Sequence, residues 1–193
     1  LGANGPEVSA VGYGAMSFAD FYGPATEAGS HAILRACVEL GVDHLCLVGD
    51  TLDVYGASRF SKEAQELYDG DRATLANELR AFTGFVHEAD RIFDRIDYLC
   101  GNHEGRAVER FVNENPWLYQ HPAFDPKSLF QLPSHWHAYE PGARLRMGKV
   151  CIEHGEKLKG SGAKYGAAAV LRNNPYAHTV FGHVHRYMRA SHT

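Results

Sequence analysis

Apolar and polar positions along this chain fall into two patterns: short apolar runs, and longer segments with apolar residues at helical spacing. Four apolar runs have the length of a strand: residues 8–16 (VSAVGYGAM), 44–48 (HLCLV), 96–100 (IDYLC) and 178–182 (HTVFG). Between these runs, apolar residues recur every three or four positions over 31–40 and 75–86, which indicates amphipathic helices. Strands that alternate with helices predict an α/β protein.

Weaker patterns fill the rest of the chain. Two further helices are predicted over 106–113 and 164–172, and Gly148 separates two short runs that predict a β-hairpin over 145–153. Prolines recur throughout 115–141, which predicts an irregular segment over the surface. The 193 residues are enough for one domain with a hydrophobic core.

Composition and charge narrow the class of protein. The chain is 45% hydrophobic and 22% charged, as is usual for a soluble globular protein. Its formal net charge of -4 does not indicate a nucleic-acid partner, although it does not exclude one. No apolar run is long enough to span a bilayer and the N-terminus lacks a signal-peptide pattern, so we expect no membrane partner. Scattered cysteines without a CxxC pair predict reduced core residues of a cytoplasmic protein: Cys37, Cys46, Cys100 and Cys151.

Polar side chains with metal-binding chemistry follow the predicted strands. Most come directly after a glycine that ends a strand, and one follows the strand VCIE: Asp50, Asn102, His103, His154, His183 and His185. In α/β sheets, ligands bind at the carboxyl ends of strands, where glycine allows the backbone to turn sharply. Oxygen and imidazole ligands without thiolate suit Mn, Fe, Zn or similar divalent ions. The sequence therefore predicts a divalent-metal site at one edge of a sheet.

The motifs at these strand ends resemble those of the calcineurin-like metallophosphoesterases. The motifs are GDTLD (49–53), GNHE (101–104), EHG (153–155) and GHVH (182–185), and the resemblance covers about residues 46–193. The flanking sequence is most similar to the phage and bacterial type. The resemblance implies a metallophosphoesterase-type β-sandwich flanked by helices. It also implies hydrolysis of phosphate mono- or diesters by metal-activated water, with one or two Mn, Fe, Zn or Ni ions.

The same resemblance implies a role for each metal-binding residue. Asp50 would bridge two ions, and His185 would belong to one of the two sites. Asn102, His154 and His183 would complete the other site.

Four further residues are implied in substrate chemistry. His103 would face the phosphoester and act in catalysis, and Asp53 would hold the His103 ring in orientation. Arg59 and Arg106 are suited to binding a substrate phosphate, and each is equally suited to a surface salt bridge. The identity of the phosphoester substrate is left open.

The N-terminal segment resembles a different family. Residues 1–45 look like the first strand, helix and second strand of an aldo/keto reductase, and DTLDVYG (50–56) keeps that family's Asp and Tyr spacing. A reductase barrel needs about 250 residues, and it would leave GNHE and GHVH unexplained. We therefore expect a reductase-like β-α segment over 1–45 in place of the first β-α unit of a phosphoesterase domain over 46–193.

This replacement has consequences for the metal site. The metallophosphoesterase family opens with Asp-x-His at the end of its first strand, and no such motif precedes Asp50; Asp20 is a weak substitute. We expect one well-formed metal site and a second that retains only Asp50 and His185. The phosphoesterase would then be impaired. The alternatives are a catalytically inactive metal-binding relative and, least favoured, an NADPH-dependent reductase fragment. The chain also ends soon after GHVHR, so we expect the second sheet to be truncated at its C-terminal end.

Overall fold

The structure is a computed structural model that describes residues 27–52, 54, 75–119, 121–156 and 178–183. Its helices are α1 (Glu27–Glu39), α2 (Leu75–Ile92), α3 (Asn102–Glu114) and the single turn α4 (Pro126–Leu129). Its strands are β1 (His44–Val48), β2 (Arg95–Leu99), β3 (His137–Tyr139), β4 (Arg144–Met147), β5 (Val150–Glu153) and β6 (His178–Phe181). Short 3-10 turns at Pro116–Leu118 and Pro122–Phe124 follow α3. The predicted α/β class is confirmed.

The described strands form two small sheets and no barrel. Sheet A has the order β1-β2-β3 and is parallel throughout. Sheet B has the order β4-β5-β6, in which β4 is antiparallel to β5 and β6 is parallel to β5. Since β1 and β2 are parallel, their carboxyl ends lie at the same edge of sheet A. Side chains that follow these two strands are therefore neighbours.

The larger part of the core lies between α2 and sheet A. Phe82, Val86 and Ala89 are buried on α2, at the spacing of one face of a helix. They pack with Tyr98 of β2 and with Trp136, both of which are fully buried. The amphipathic pattern that predicted this helix is therefore the pattern by which it covers the sheet.

A smaller core cluster joins the two sheets. Leu99 of sheet A is buried against Leu145 and Ile152 of sheet B. Partly buried residues from both sheets surround these three: Cys46, Val48, Tyr139, Met147 and Val150. Contact between the sheets places the end of β5 close to the end of β1, which matters for the site described below.

Most predicted elements inside the described ranges are confirmed. Strands β1, β2 and β6 and the hairpin of β4 and β5 are present within a residue or two of the expected bounds, and helix α1 begins at Glu27, four residues before the predicted pattern over 31–40. Helix α3 begins at Asn102, four residues before its predicted start, because Glu104 caps its first turn. The predicted boundary at residue 45 falls inside β1, whose ladder to β2 runs from His44 to Val48.

Several predictions concern residues outside the described ranges. They are the strand over 8–16, the helix over 164–172, and the roles of Asp20, Asp53, Arg59 and His185. Within the described ranges, the four cysteines are free thiols. Across the same residues, no helix has both the length and the apolar character that crossing a membrane requires.

Candidate metal centre

Asp50 is presented by a tight turn at the end of β1. Gly49 has a φ of 83° and Asp50 has a φ of 52°, so two successive residues adopt the left-handed region. At Gly49 a Cβ atom would lie 2.5 Å from His154 Nδ1 and 2.7 Å from the Cα atom of Gly101. A side chain at position 49 would therefore push apart the ends of β1, β2 and β5. The glycine lets these three chain segments approach one another closely.

The tautomer of His154 is fixed by the backbone of β1. His154 follows β5 and is almost fully buried, and its Nδ1 atom lies 2.8 Å from the carbonyl oxygen of Val48. A carbonyl oxygen can only accept a hydrogen bond, so Nδ1 carries a proton and donates it. In the neutral ring, Nε2 then has a free lone pair, which is the form in which histidine binds a metal.

Three other side chains converge on this Nε2 atom. It lies 3.0 Å from Asn102 Oδ1, 3.1 Å from His183 Nδ1 and 3.2 Å from Asp50 Oδ2. Two of these neighbours are oxygens with lone pairs of their own, so the neutral tautomer brings electron-rich atoms face to face. A cation or an added proton between them removes that repulsion. Separations of about 3 Å are also those of ligand atoms bound about 2.0–2.2 Å from one shared ion.

The carboxylate of Asp50 is only partly satisfied by the protein. Its Oδ1 atom accepts a hydrogen bond from the backbone N–H of His103 at 3.0 Å. Its Oδ2 atom is buried and makes no hydrogen bond of acceptable geometry within the part of the chain that the structure describes. Buried carboxylate oxygens are costly to leave without a partner. This oxygen points into the group formed with His154 and His183, whose ligand atoms all lie within 4.8 Å of one another.

The pKa values of Asp50 and His154 shift in opposite directions. Burial alone would raise the pKa of Asp50, but polar contact with His154 and the His103 backbone N–H lower it below its ordinary value. Burial alone would lower the pKa of His154, but contact with Asp50 and with the Val48 carbonyl raises it. Both shifts favour positive charge beside the Asp50 carboxylate.

Glu104 holds the turn at Asp50 and the start of α3 in place, a role that the sequence motifs did not predict. It lies on the first turn of α3, is 1% exposed and accepts hydrogen bonds from two chain segments. Its partners are the backbone N–H groups of Asp50, Thr51, Leu52 and Gly101, at 2.8–3.2 Å, and the hydroxyl of Tyr98, at 3.0 Å. One carboxylate therefore holds both Asp50 and Gly101, the residue before Asn102.

The sequence contained one signal for this role. Glu104 is the third residue of a helix that follows Gly101, and its Oε2 atom lies 2.9 Å from the Gly101 N–H. A glutamate that caps the start of its own helix in this way is a known local pattern. The bonds to residues 50–52 depend on tertiary structure and have no local signal.

The remaining predicted residues are only partly described. His103 is half-buried on the first turn of α3, and its Nε2 atom lies 3.8 Å from Asp50 Oδ2. Arg106 lies one turn further along α3 and is exposed. The structure thus brings together Asp50, Asn102, His103, His154 and His183. Asp53, Arg59 and His185 are outside the described residues, so their predicted roles stay predictions.

Comparison with family models and solved structures assigns no family to the chain. No protein-family model matches it, and no solved structure matches it. A functional proposal for this chain therefore rests on the geometry of the site and on the sequence motifs.

Proposed function

We propose that this chain is a divalent-metal-dependent phosphoesterase that hydrolyses phosphate mono- or diesters, built on a metallophosphoesterase-type sandwich of its two sheets. The observation that carries the proposal is the buried Asp50 Oδ2 atom, which lies without a hydrogen bond beside the lone pair of His154 Nε2. Asn102 and His183 supply two further donor atoms at similar distances. Together with the resemblance of GNHE and GHVH, this arrangement favours a metal-dependent hydrolase over a simple binding protein.

The residues present fit a first-row divalent ion. One carboxylate oxygen, one amide oxygen and two imidazole nitrogens form a donor set suited to Mn, Fe or Zn. Asp50, Asn102, His154 and His183 would hold the ion, and Val48 would keep His154 in the ligating tautomer. A bound ion would supply positive charge at the phosphoryl oxygens and activate the attacking water.

The chain's own groups then position the phosphoester. The substrate phosphate would lie against the start of α3, where the helix dipole favours negative charge. His103 is oriented toward Asp50 and would donate a proton to the leaving oxygen or a hydrogen bond to the phosphoryl group. Arg106, one turn along the same helix, is suited to contact a more distant substrate oxygen.

Metal binding is the first test of this proposal. We expect Mn²⁺ to bind chelator-treated wild-type protein in isothermal titration calorimetry, and we expect at least tenfold weaker binding for Asp50→Asn and His154→Ala. His121→Ala is a matched control, because His121 caps an exposed 3-10 turn and lies outside this group of residues. Equal Mn²⁺ affinity in wild type and Asp50→Asn would refute the assigned ligands.

Hydrolysis is the second test. We expect Mn²⁺-dependent release of nitrophenol from a nitrophenyl phosphomonoester or phosphodiester, abolished by chelator and restored by adding the metal. In the His103→Gln variant, kcat should fall by about 10²-fold or more while Mn²⁺ affinity is retained, because general-acid groups contribute on that scale. Unchanged kcat in this variant would remove His103 from the mechanism.

A metal-binding protein without catalysis is the second candidate. It is favoured by the lack of an Asp-x-His motif before Asp50, which leaves fewer ligands for a second ion. In that case calorimetry would detect Mn²⁺ binding while hydrolysis stays at the level of free Mn²⁺ in solution. The two tests together therefore separate the candidates.

A further inference from the structure

A second group of metal-binding side chains lies at the opposite end of sheet A. His44 and Cys46 are alternate residues of β1 and therefore share one face of the sheet, and Asp97 is the register partner of Cys46 on β2. The ligand atoms of these three residues lie within 4.8 Å of one another. His44 begins β1 and Asp50 follows the last residue of the strand, Val48, which lies about 13 Å from His44 along the extended chain. The group is therefore distinct from the candidate metal centre.

The distances between the ligand atoms of this group are close to those found around a bound ion. His44 Nε2 lies 2.5 Å from Asp97 Oδ2 and 3.5 Å from Cys46 Sγ. Ligand atoms on a tetrahedral zinc ion, at about 2.0–2.3 Å from it, are about 3.3–3.8 Å apart. The nitrogen–sulfur separation already fits, and the nitrogen–oxygen pair needs to open by less than 1 Å. A small rotation of the half-buried His44 ring provides that movement.

The carboxylate of Asp97 is held as ligating carboxylates usually are. It is fully buried, and it accepts hydrogen bonds from Arg95 Nε at 2.9 Å and from the Tyr139 hydroxyl at 2.8 Å. Such outer partners fix the orientation of a ligand and remain compatible with metal binding. Arg95 is half-exposed, and its Nε atom pairs with Asp97 Oδ2, the oxygen that would also bind the ion. Two anionic ligands, Cys46 thiolate and Asp97, would balance the charge of a divalent ion.

A nucleophilic role for Cys46 is less consistent with its surroundings. Burial and then the charge of Asp97 raise the pKa of the Cys46 thiol to about 11. A reactive cysteine instead has a lowered pKa, in an electropositive and accessible setting. A metal ion is the partner that would favour the thiolate here.

We propose that His44, Cys46 and Asp97 form a second metal site, which takes a borderline-soft divalent ion such as Zn²⁺ through Nε2, Sγ and Oδ2. The neutral His44 ring would bind through the Nε2 lone pair and keep its one proton on Nδ1, and the thiol proton of Cys46 would go to solvent. Three protein ligands leave one coordination position for water. This site has a thiolate where the candidate metal centre has an amide oxygen, so the two sites would differ in metal preference.

Cobalt is a suitable probe because a thiolate–Co²⁺ bond gives a charge-transfer band in the near ultraviolet. We expect this band when Co²⁺ alone is added to the wild-type protein. The band should be lost in Cys46→Ser, which preserves side-chain shape, and should remain in the matched control Cys37→Ser. A band that survives in Cys46→Ser, or that is absent from wild type at stoichiometric Co²⁺, would overturn the proposal.

A measurement on the unmodified protein keeps the test independent of mutant folding. Zinc-edge X-ray absorption of the Zn²⁺-loaded wild type should contain a sulfur scatterer at about 2.3 Å, the zinc–thiolate distance. A shell of nitrogen and oxygen alone would refute the site. The candidate metal centre has no thiol among its assigned ligands, so neither result depends on phosphoester hydrolysis.

Discussion

Replacing Glu104 with glutamine is the sharpest single test of how the candidate metal centre is held together. The change preserves size and replaces one carboxylate oxygen with an NH₂ group. In the wild type, Oε2 accepts from Asp50 and Gly101, and Oε1 accepts from Thr51, Leu52 and Tyr98. Whichever oxygen is replaced, the new NH₂ group faces two backbone N–H donors. No rotation of the amide removes this conflict.

The size of the effect follows from the number of bonds lost. Each hydrogen bond to a charged acceptor contributes about 1.5–3 kcal/mol, so two lost bonds correspond to about 3–6 kcal/mol. Local relaxation lowers this figure, and we expect a loss of about 4 kcal/mol in the free energy of unfolding. For a chain of this size, that corresponds to a fall in Tm of about 8–16 °C. It is a large fraction of the usual stability of a domain, about 5–15 kcal/mol.

Urea unfolding followed by tryptophan fluorescence measures this difference, because Trp136 is fully buried in the main core. Glu109→Gln is the matched control, since Glu109 is exposed on the same helix and its change should stay within about 0.5 kcal/mol. Mn²⁺ affinity should also fall in the Glu104 variant, because Asp50 and Gly101, the residue before Asn102, lose their common support. A loss of stability below about 1 kcal/mol would refute the reasoning that the four backbone bonds organise the site.

Three further predictions concern the turn at Asp50, the main core and the buried tyrosine. Gly49→Ala should lower the free energy of unfolding by about 1–2 kcal/mol through backbone strain, and it should reduce Mn²⁺ affinity at least tenfold because the new Cβ meets His154 Nδ1. The control is Gly84→Ala, where a Cβ meets nothing within 4 Å. This change should raise the free energy of unfolding by about 0.5–1 kcal/mol. Calorimetry and urea unfolding measure both effects, and a neutral Gly49→Ala would contradict the close approach. Trp136→Phe should lower the free energy of unfolding by about 2–3 kcal/mol, because it leaves a cavity and removes the indole N–H that donates to Asp90 Oδ1 at 2.7 Å. Trp117→Phe, at an exposed position, should change the free energy of unfolding by less than about 0.5 kcal/mol. Thermal unfolding of both variants measures the difference, and equal effects would refute the burial argument. Burial and then the charge of Glu104 hold the pKa of Tyr98 well above its ordinary value. The neutral hydroxyl therefore contributes stability that is complete below about pH 10 and is lost as the pH rises toward the folded-state pKa. The stability advantage of wild type over Tyr98→Phe should shrink by about 1.4 kcal/mol per pH unit above pH 10, and a constant advantage would contradict the raised pKa.

The positions of the strand ends could be predicted from sequence, because each apolar run is closed by a local signal. HLCLV and HTVFG end at glycines, and the residues that follow them, Asp50 and His183, do lie close together. The reason is that a buried strand is mostly apolar along its length, so most of its polar side chains follow its end; Asp97, fully buried inside β2, is an exception. Candidate ligands that follow strand ends can therefore be recognised individually from the sequence.

Interactions that depend on strand register could not be predicted in the same way. The contact of Cys46 with Asp97 requires that β1 and β2 are parallel neighbours in one particular register, which periodicity does not specify. The bonds from Glu104 to residues 50–52 likewise span more than fifty positions of sequence. Local patterns report what each segment buries, whereas such contacts depend on which segments become neighbours.

The backbone partners of His154 and Glu104 have a consequence for how this site can change during evolution. His154 takes its orientation from the carbonyl of Val48, and Glu104 binds the amide groups of residues 50–52 and 101. A backbone carbonyl is present at every position and an N–H group at every position except proline, so replacements at Val48, or at the exposed Thr51 by any residue but proline, leave these bonds intact. Sequence drift around the ligands is therefore tolerated, while His154 and Glu104 themselves are not replaceable. Homologues could diverge widely in the residues flanking their motifs and still bind a cation with the same geometry.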